Sequence, residues 1–239
     1  NDRVSDYSRF LYLPDKYLIS SGSYSFGTNT STLIAGATES KKGNPKVTWE
    51  TSEKQNYGID AKFFKDHLSV NFDYFIEHRK NILKSRTVSP GYLAVSLPIA
   101  NIGKVDNKGY EINVKWDDRI NEVRYYIGAN LSYAKNKIVF IDEIHYPYEW
   151  MQTEGKPVGQ QFGYVFDGYF TAEEAANYEN LKGKEGGIAN QGSGYVPLAG
   201  DVKYKDLNGD GQIDEKDVRD IGYPKYPLYT AGMNMGFSW

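Results

Sequence analysis

The chain has 239 residues, no cysteine, 28 Lys+Arg against 31 Asp+Glu, and a formal net charge of -3. At about 150 residues per domain the length allows one large domain or two small ones. The near-neutral balance gives no basic surface for nucleic acid, and the missing cysteines remove disulfides, thiolate zinc sites and cysteine nucleophiles together. A mean hydropathy of -0.61, with no apolar run of about 18 residues, excludes a transmembrane helix but not a membrane β-barrel, whose strands alternate lipid-facing and lumen-facing side chains.

The 21 Tyr and 24 Gly, against 3 Met, favour extended, turn-rich structure. In chain order, a weak strand candidate lies at residues 17–26. A strand near 48–64 follows, with Tyr57, Ile59, Ala61 and Phe63 set against Gly58, Asp60, Lys62 and Phe64. After the short turn Lys65-Asp66-His67 comes a strand near 68–83. There Leu68, Val70, Phe72, Tyr74 and Ile76 share one face, Ser69, Asn71, Asp73 and Glu77 the other, and Phe75 breaks the pattern. A third run near 105–117 alternates Tyr110, Ile112, Val114 and Trp116 with Glu111, Asn113 and Lys115. A polar turn at Asp117-Asp118-Arg119 leads to a fourth near 122–138, carrying Tyr125, Ile127, Ala129, Leu131 and Tyr133. A fifth, near 228–239, carries Tyr229, Ala231, Met233, Met235, Phe237 and Trp239.

Short turns at 65–67 and 117–122 alternate with long excursions at 84–104 and 139–227. Outer-membrane barrels have that asymmetry, and aromatics at the ends of the apolar faces (Tyr57 and Phe63, Tyr110 and Trp116, Tyr125 and Tyr133) fit their interfacial girdles. A β-sandwich core with aromatic plugs is the competing reading. Within 139–227, Thr171 and Glu174 have capping-box spacing ahead of Ala175, Ala176 and Leu181, which predicts a short helix. The glycine-rich stretch 183–194 reads as a mobile loop.

One segment has coordination chemistry. Residues 206–217 follow the spacing of a calcium loop, with oxygen ligands due at positions 1, 3, 5, 7, 9 and 12. These are Asp206, Asn208, Asp210, the Gln212 carbonyl, Asp214 and Asp217, with Gly211 in the sharp turn. Asp217 stands where the strict motif has Glu, and the shorter side chain reaches an ion less easily. The role expected of Ca2+ is structural, since protein ligands saturate the set. An ion-free Asp/Asn/Gly turn is the alternative. His67, His78 and His145 lack metal-ligand spacing, and no serine elbow or phosphate-binding glycine loop occurs. Two carboxylates facing each other across a cleft would be needed for a glycosidase.

Four stretches resemble the SusC/RagA-type TonB-dependent transporters of the Bacteroidetes outer membrane. They are Gly43 to Glu50 continued by Asn56 to Asp60, Asn101 to Glu111, Val158 to Phe170, and Gly200 to Asp214 followed by Ile221-Gly222. The resemblance implies an all-β fold, part of an antiparallel transmembrane β-barrel of about 22 strands, with long extracellular loops carrying short helices. It implies no enzyme activity. It implies import of oligosaccharides or peptides across a Gram-negative outer membrane, energised by TonB, with a SusD-like lipoprotein over the loops. Tyr146, Tyr148, Trp150 and Tyr169 are the loop aromatics for stacking on sugars or packing on that lid. The plug domain and TonB-contacting box have no counterpart, and the chain opens on Asn1 without a signal-peptide pattern. It is therefore expected to be a segment that needs the remaining barrel and plug, and that does not insert into lipid alone. A soluble calcium-dependent carbohydrate-binding β-sandwich is the alternative function.

Overall fold

A computed structural model describes residues 11–12, 17–19, 22–28, 33–39, 42–87, 97–184 and 186–239. Near the amino terminus β1 (Tyr17–Ile19) pairs antiparallel with β2 (Ala37–Glu39). The strand sought at 17–26 is thus three residues long. Beyond it come residues outside the described set and a lone bridge from Tyr24 to Ile34.

The main body is one antiparallel sheet of β3 (Thr51–Phe63), β4 (Leu68–Lys84), β5 (Ala100–Ile120), β6 (Val123–Phe140) and β11 (Tyr229–Ser238). Each strand pairs with the next along the chain, so the sheet is a simple meander with β3 and β11 at its edges. Alternation is what places each strand. A single residue slip would turn the whole apolar set to the other face, so the stripes lock the register.

Within this sheet, β5 and the turn after it differ most from the sequence reading. β5 is longer at both ends, and Asp117, Asp118 and Arg119 lie inside the strand instead of in the turn. Arg124 on β6 reaches across to Asp117, with Nε–Oδ1 at 2.9 Å and Nη2–Oδ2 at 3.0 Å, so these polar residues have a cross-strand partner. The turn shrinks to Asn121-Glu122, with Asn121 at φ +56°, a left-handed conformation that Asn tolerates. Between β3 and β4 the turn is closed by the His67 N–H donating to the Phe64 carbonyl, 3.2 Å.

Two of the resembling stretches meet in space. Asn101 at the start of β5 donates to the Thr48 and Asn81 carbonyls and accepts from the Thr48 N–H, at 2.8, 2.8 and 2.9 Å. Asn44 donates to the Ile99 carbonyl, 2.9 Å. The segment ahead of β3 is thereby tied across to β5, beside a bulge in the β4–β5 ladder at Arg79 to Leu83.

The sheet is a single layer. The β-sandwich alternative needed the Leu68, Val70, Phe72, Tyr74 and Ile76 stripe to be covered by a second sheet. All five are half-exposed, and among the described residues no second sheet packs on them. Ile59, Met233, Met235 and Phe237 on the same face are more than half exposed. No described helix is long and apolar enough to cross a membrane.

The excursion between β6 and β11 builds two small ribbons that the sequence reading missed. β7 (Gln161–Tyr164) pairs with β10 (Val218–Ile221), and β8 (Phe166–Tyr169) with β9 (Val202–Tyr204). Strands of three or four residues are too short to show a period. The expected helix is present as α1 (Ala172–Ala176), with the full Thr171/Glu174 capping box, followed by α2 (Tyr178–Leu181). The insert has its own core. Phe170 and Tyr178 are buried edge to face, ring centroids 5.7 Å apart. The glycine-rich stretch is pinned and not a free loop. The Ile188 N–H donates to Leu181, Asn190 exchanges backbone bonds with Gly211 and Ile213, and the Gln191 N–H donates to the Tyr178 hydroxyl.

Candidate functional site

Register across the five strands sorts the side chains into level rows. Tyr57, Tyr74, Tyr110, Tyr133 and Tyr229 are successive cross-strand partners and form one continuous row of tyrosines. Neighbouring rings in it approach to 5.3 Å (Tyr110–Tyr133) and 4.7 Å (Tyr133–Tyr229). Towards the short turns, the next rows on this face are Ile59, Phe72, Ile112, Leu131 and Ala231, then Ala61, Val70, Val114, Ala129 and Met233. Phe63, Leu68, Trp116, Ile127 and Met235 follow. Tyr125 and Phe237 close the band at the far end. From Tyr229 to Phe237 is about 27 Å along the strand at ~3.4 Å per residue. At a tilt near 40° that is roughly 21 Å of height, close to the ~25 Å apolar band of an outer-membrane barrel.

The opposite face is polar. Asp60, Asn71, Asn113 and Asn130 make one row, and Gly58, Asp73, Glu111 and Ser132 another. Phe75, the exception to the alternation, lies on this polar face over Gly109, whose missing side chain makes room for it. A Cβ there would stand 2.7 Å from Phe75 Cζ and would collide with the Tyr133 carbonyl. Both short turns lie at one rim, and both long connections leave from the other.

The acidic loop of the insert is tightly folded by its own backbone. Asp206 accepts from the Gly209 and Gly211 N–H groups, 2.6 and 2.7 Å. Asn208 accepts from Asp210 N–H and Asp210 from Gln212 N–H, 2.9 and 3.0 Å. Gly211 takes φ +81°, the left-handed turn expected at position six. The oxygen donors and this turn fit a hard divalent cation in kind. In the arrangement described they are drawn elsewhere. Fully buried Asp217 accepts from the Leu207 and Asp214 N–H groups, 2.8 and 2.9 Å, and Asp214 caps a single 3-10 turn, Glu215–Asp217. The Lys216 ammonium sits 3.2 Å from Asp210 and 3.5 Å from Asp214. Among the described residues no three acidic or histidine side chains gather as a metal cluster. Hydrogen bonding from Asn208 holds the Asp210 carboxyl below its usual range, and Asp210 in turn raises Lys216.

Asp217→Ala would strip the acceptor from two N–H groups, at a cost of about 1–3 kcal/mol. Limited proteolysis should then open 206–217 first, with or without calcium, while Asp217→Asn retains part of the protection.

The loop is tied to the rest of the insert. The Trp150 indole N–H donates to the Lys216 carbonyl, 2.8 Å, and the Tyr148 ring stacks on Trp150 at 4.4 Å and 8°. Those two aromatics therefore pack the loop against itself. Tyr169 is 62% exposed, and Phe166, which the sequence reading passed over, lies edge to face with it at 5.1 Å. Its signal was the aromatic-glycine spacing of 166–170. His67 and His78 each have a polar partner. His78 Nδ1 lies 2.8 Å from Asp106 and His67 Nδ1 2.9 Å from the Asp117 carbonyl.

A further tie is ionic. Lys156 Nζ stands 2.8 Å from Asp220 Oδ1 and, by hydrogen bonding, keeps that carboxyl below the usual range. A depressed folded-state pKa gives stability that is complete above the unfolded value, about 3.9, and is lost as pH falls through the lowered one. Hydrogen exchange at 155–164 and 218–222, corrected for intrinsic rate, should therefore rise on acidification below about pH 4. In Asp220→Asn that pH dependence should flatten.

The chain matches, over residues 8–238, the profile of the family described as TonB dependent receptor-like, beta-barrel. The chain belongs to this family. It is 31% identical over 209 residues to TonB-dependent receptor P3 of Formosa agariphila, covering 80% of this chain and 19% of that protein. With TonB-dependent receptor P39 of the same organism it shares 27% over 247 residues, covering 92% and 22%. Among solved structures it is similar to the RagAB peptide importer in the closed-closed state. The TM-score is 0.60 at 18% identity, over 94% of this chain and 23% of that one. For the open-open state the values are 0.61, 17%, 94% and 22%. The chain spans about a fifth of the length of these relatives. The open sheet is accordingly a stretch of SusC/RagA-type barrel wall. TonB-dependent receptors are outer-membrane transport barrels, not an enzyme family.

Proposed function

We propose that this chain forms wall and extracellular loops of an outer-membrane active transporter. Its cargo is oligosaccharide or peptide, its energy comes through TonB, and a SusD-like lipoprotein rests on the loops. The observation that carries the reading is the apolar band, in register over five strands and, among the described residues, bare of any second layer. The RagAB importer likeness supports a peptide cargo in fold only. The exposed Tyr169 and Phe166 offer ring faces that suit either a sugar or a hydrophobic side chain.

The test uses the absence of cysteine from this chain. In the complete protein, single cysteines at positions 70 and 113 carry spin labels in native outer membranes. Oxygen should relax the label at Val70 and a water-soluble nickel chelate the label at Asn113. Equal water access at both positions overturns the membrane reading. Growth of a deletion strain on defined glycans or peptides then separates the cargo classes.

We also propose that 206–217 takes Ca2+ as a structural ion, held by Asp206, Asn208, Asp210, the Gln212 carbonyl, Asp214 and Asp217, with Lys216 displaced. Titration of calcium into the complete protein should slow hydrogen exchange in this loop. Unchanged exchange removes the ion from the account.

A further inference from the structure

The outward face does not end at the tyrosine row. In the next row on this face, two residues along each strand, Lys108 on β5 and Lys135 on β6 stand directly opposite each other in the register, and Lys137 lies in the row after that, opposite Asp106. All three are exposed. Like charges placed opposite one another on neighbouring strands repel. Elsewhere on this extension of the face, Glu53 pairs with Lys80 at 2.8 Å, and His78 Nδ1 lies 2.8 Å from the Asp106 carboxylate. Asp106 is the acid nearest to the lysines in the register, opposite Lys137, but its carboxylate is engaged by His78. Among the described residues no carboxylate lies within ion-pair distance of Lys108, Lys135 or Lys137. The arrangement is a compact cationic patch that lacks its counter-charge.

Its height identifies the missing anion. Tyr110 and Tyr133 lie about 7 Å below the Lys108–Lys135 pair, at two residues per step along the strand. Below them runs the apolar band, which meets acyl chains. A lysine placed just past an aromatic girdle carries its ammonium at headgroup depth. A molecule with acyl chains on Ile112 and Leu131 would hold its phosphate at these ammonium groups. A free anion would gain nothing from the band. We infer that Lys108, Lys135 and Lys137, above Tyr110 and Tyr133, form a binding site for the phosphate-bearing headgroup of an outer-leaflet lipid. This rests on the membrane reading of the same face.

The experiment is native mass spectrometry of the complete protein in detergent, titrated with dioleoylphosphatidic acid, and in parallel with dioleoylphosphatidylcholine. The wild type should retain phosphatidic acid preferentially. K108Q/K135Q should lower that retention about 10- to 30-fold, from the usual contribution of a lysine near a charged membrane surface. K108R/K135R should keep it. Gel mobility before and after heating checks that each variant is folded. Unchanged retention in the folded K108Q/K135Q protein overturns the inference, as does displacement of the lipid by excess inorganic phosphate. If the Val70 label reports lipid contact while the glutamine variant retains the lipid, the site falls alone. If that label reports water, site and membrane reading fall together.

Discussion

Arginine at Val114 should destabilise the folded barrel by about 2–4 kcal/mol, the cost of a cationic side chain near the bilayer midplane. Arginine at Asn113, one residue earlier, should change stability by no more than about 1 kcal/mol. Val114 lies between Val70 and Ala129 in the middle of the apolar band, whereas Asn113 lies between Asn71 and Asn130 on the polar face. The charge added is the same and only the face differs. Urea unfolding of the complete protein in lipid vesicles measures both. Equal losses at the two positions would mean that the band does not meet hydrocarbon.

Gly109→Ala should be the most damaging small change in the sheet. A methyl group there meets the Tyr133 carbonyl, which belongs to the partner strand and cannot rotate away, as well as the Phe75 ring. Overpacking of this kind costs about 1–3 kcal/mol, and more when backbone must shift. The β5–β6 ladder would have to part at the level of Tyr110 and Tyr133, and the tyrosine row with it. Phe75→Ala combined with Gly109→Ala should recover little, since the carbonyl clash remains. Full recovery in the double variant would assign the effect to the ring alone.

Period-two alternation made β3, β4, β5, β6 and β11 legible in the sequence, and the loop lengths gave the two unlike rims. What could not be read was register. Tyr57, Tyr74, Tyr110, Tyr133 and Tyr229 are scattered over 173 sequence positions, and only pairing aligns them into a row. The same holds for Lys108 and Lys135, two ordinary exposed lysines until the ladder sets them face to face. Asp117 to Arg119 misled because a polar triplet reads as a turn, while Arg124 supplies the partner that keeps it in a strand. In the acidic loop, spacing singled out the oxygen-bearing residues but gave no warning that Lys216 would stand among them. β7 to β10 were too short to leave any periodic trace.

β4 continues for ten residues past Tyr74, and β5 begins ten residues before Tyr110. At about 3.4 Å per residue and a tilt near 40°, that lifts the ends of these strands roughly 26 Å above the tyrosines. Lipid headgroups occupy only about 5–8 Å of that height on each side. The wall thus rises into open solvent as a parapet, and the insert is mounted on its upper part. That insert is therefore reachable from the solvent side without contact with the bilayer, well above the level of the tyrosine row.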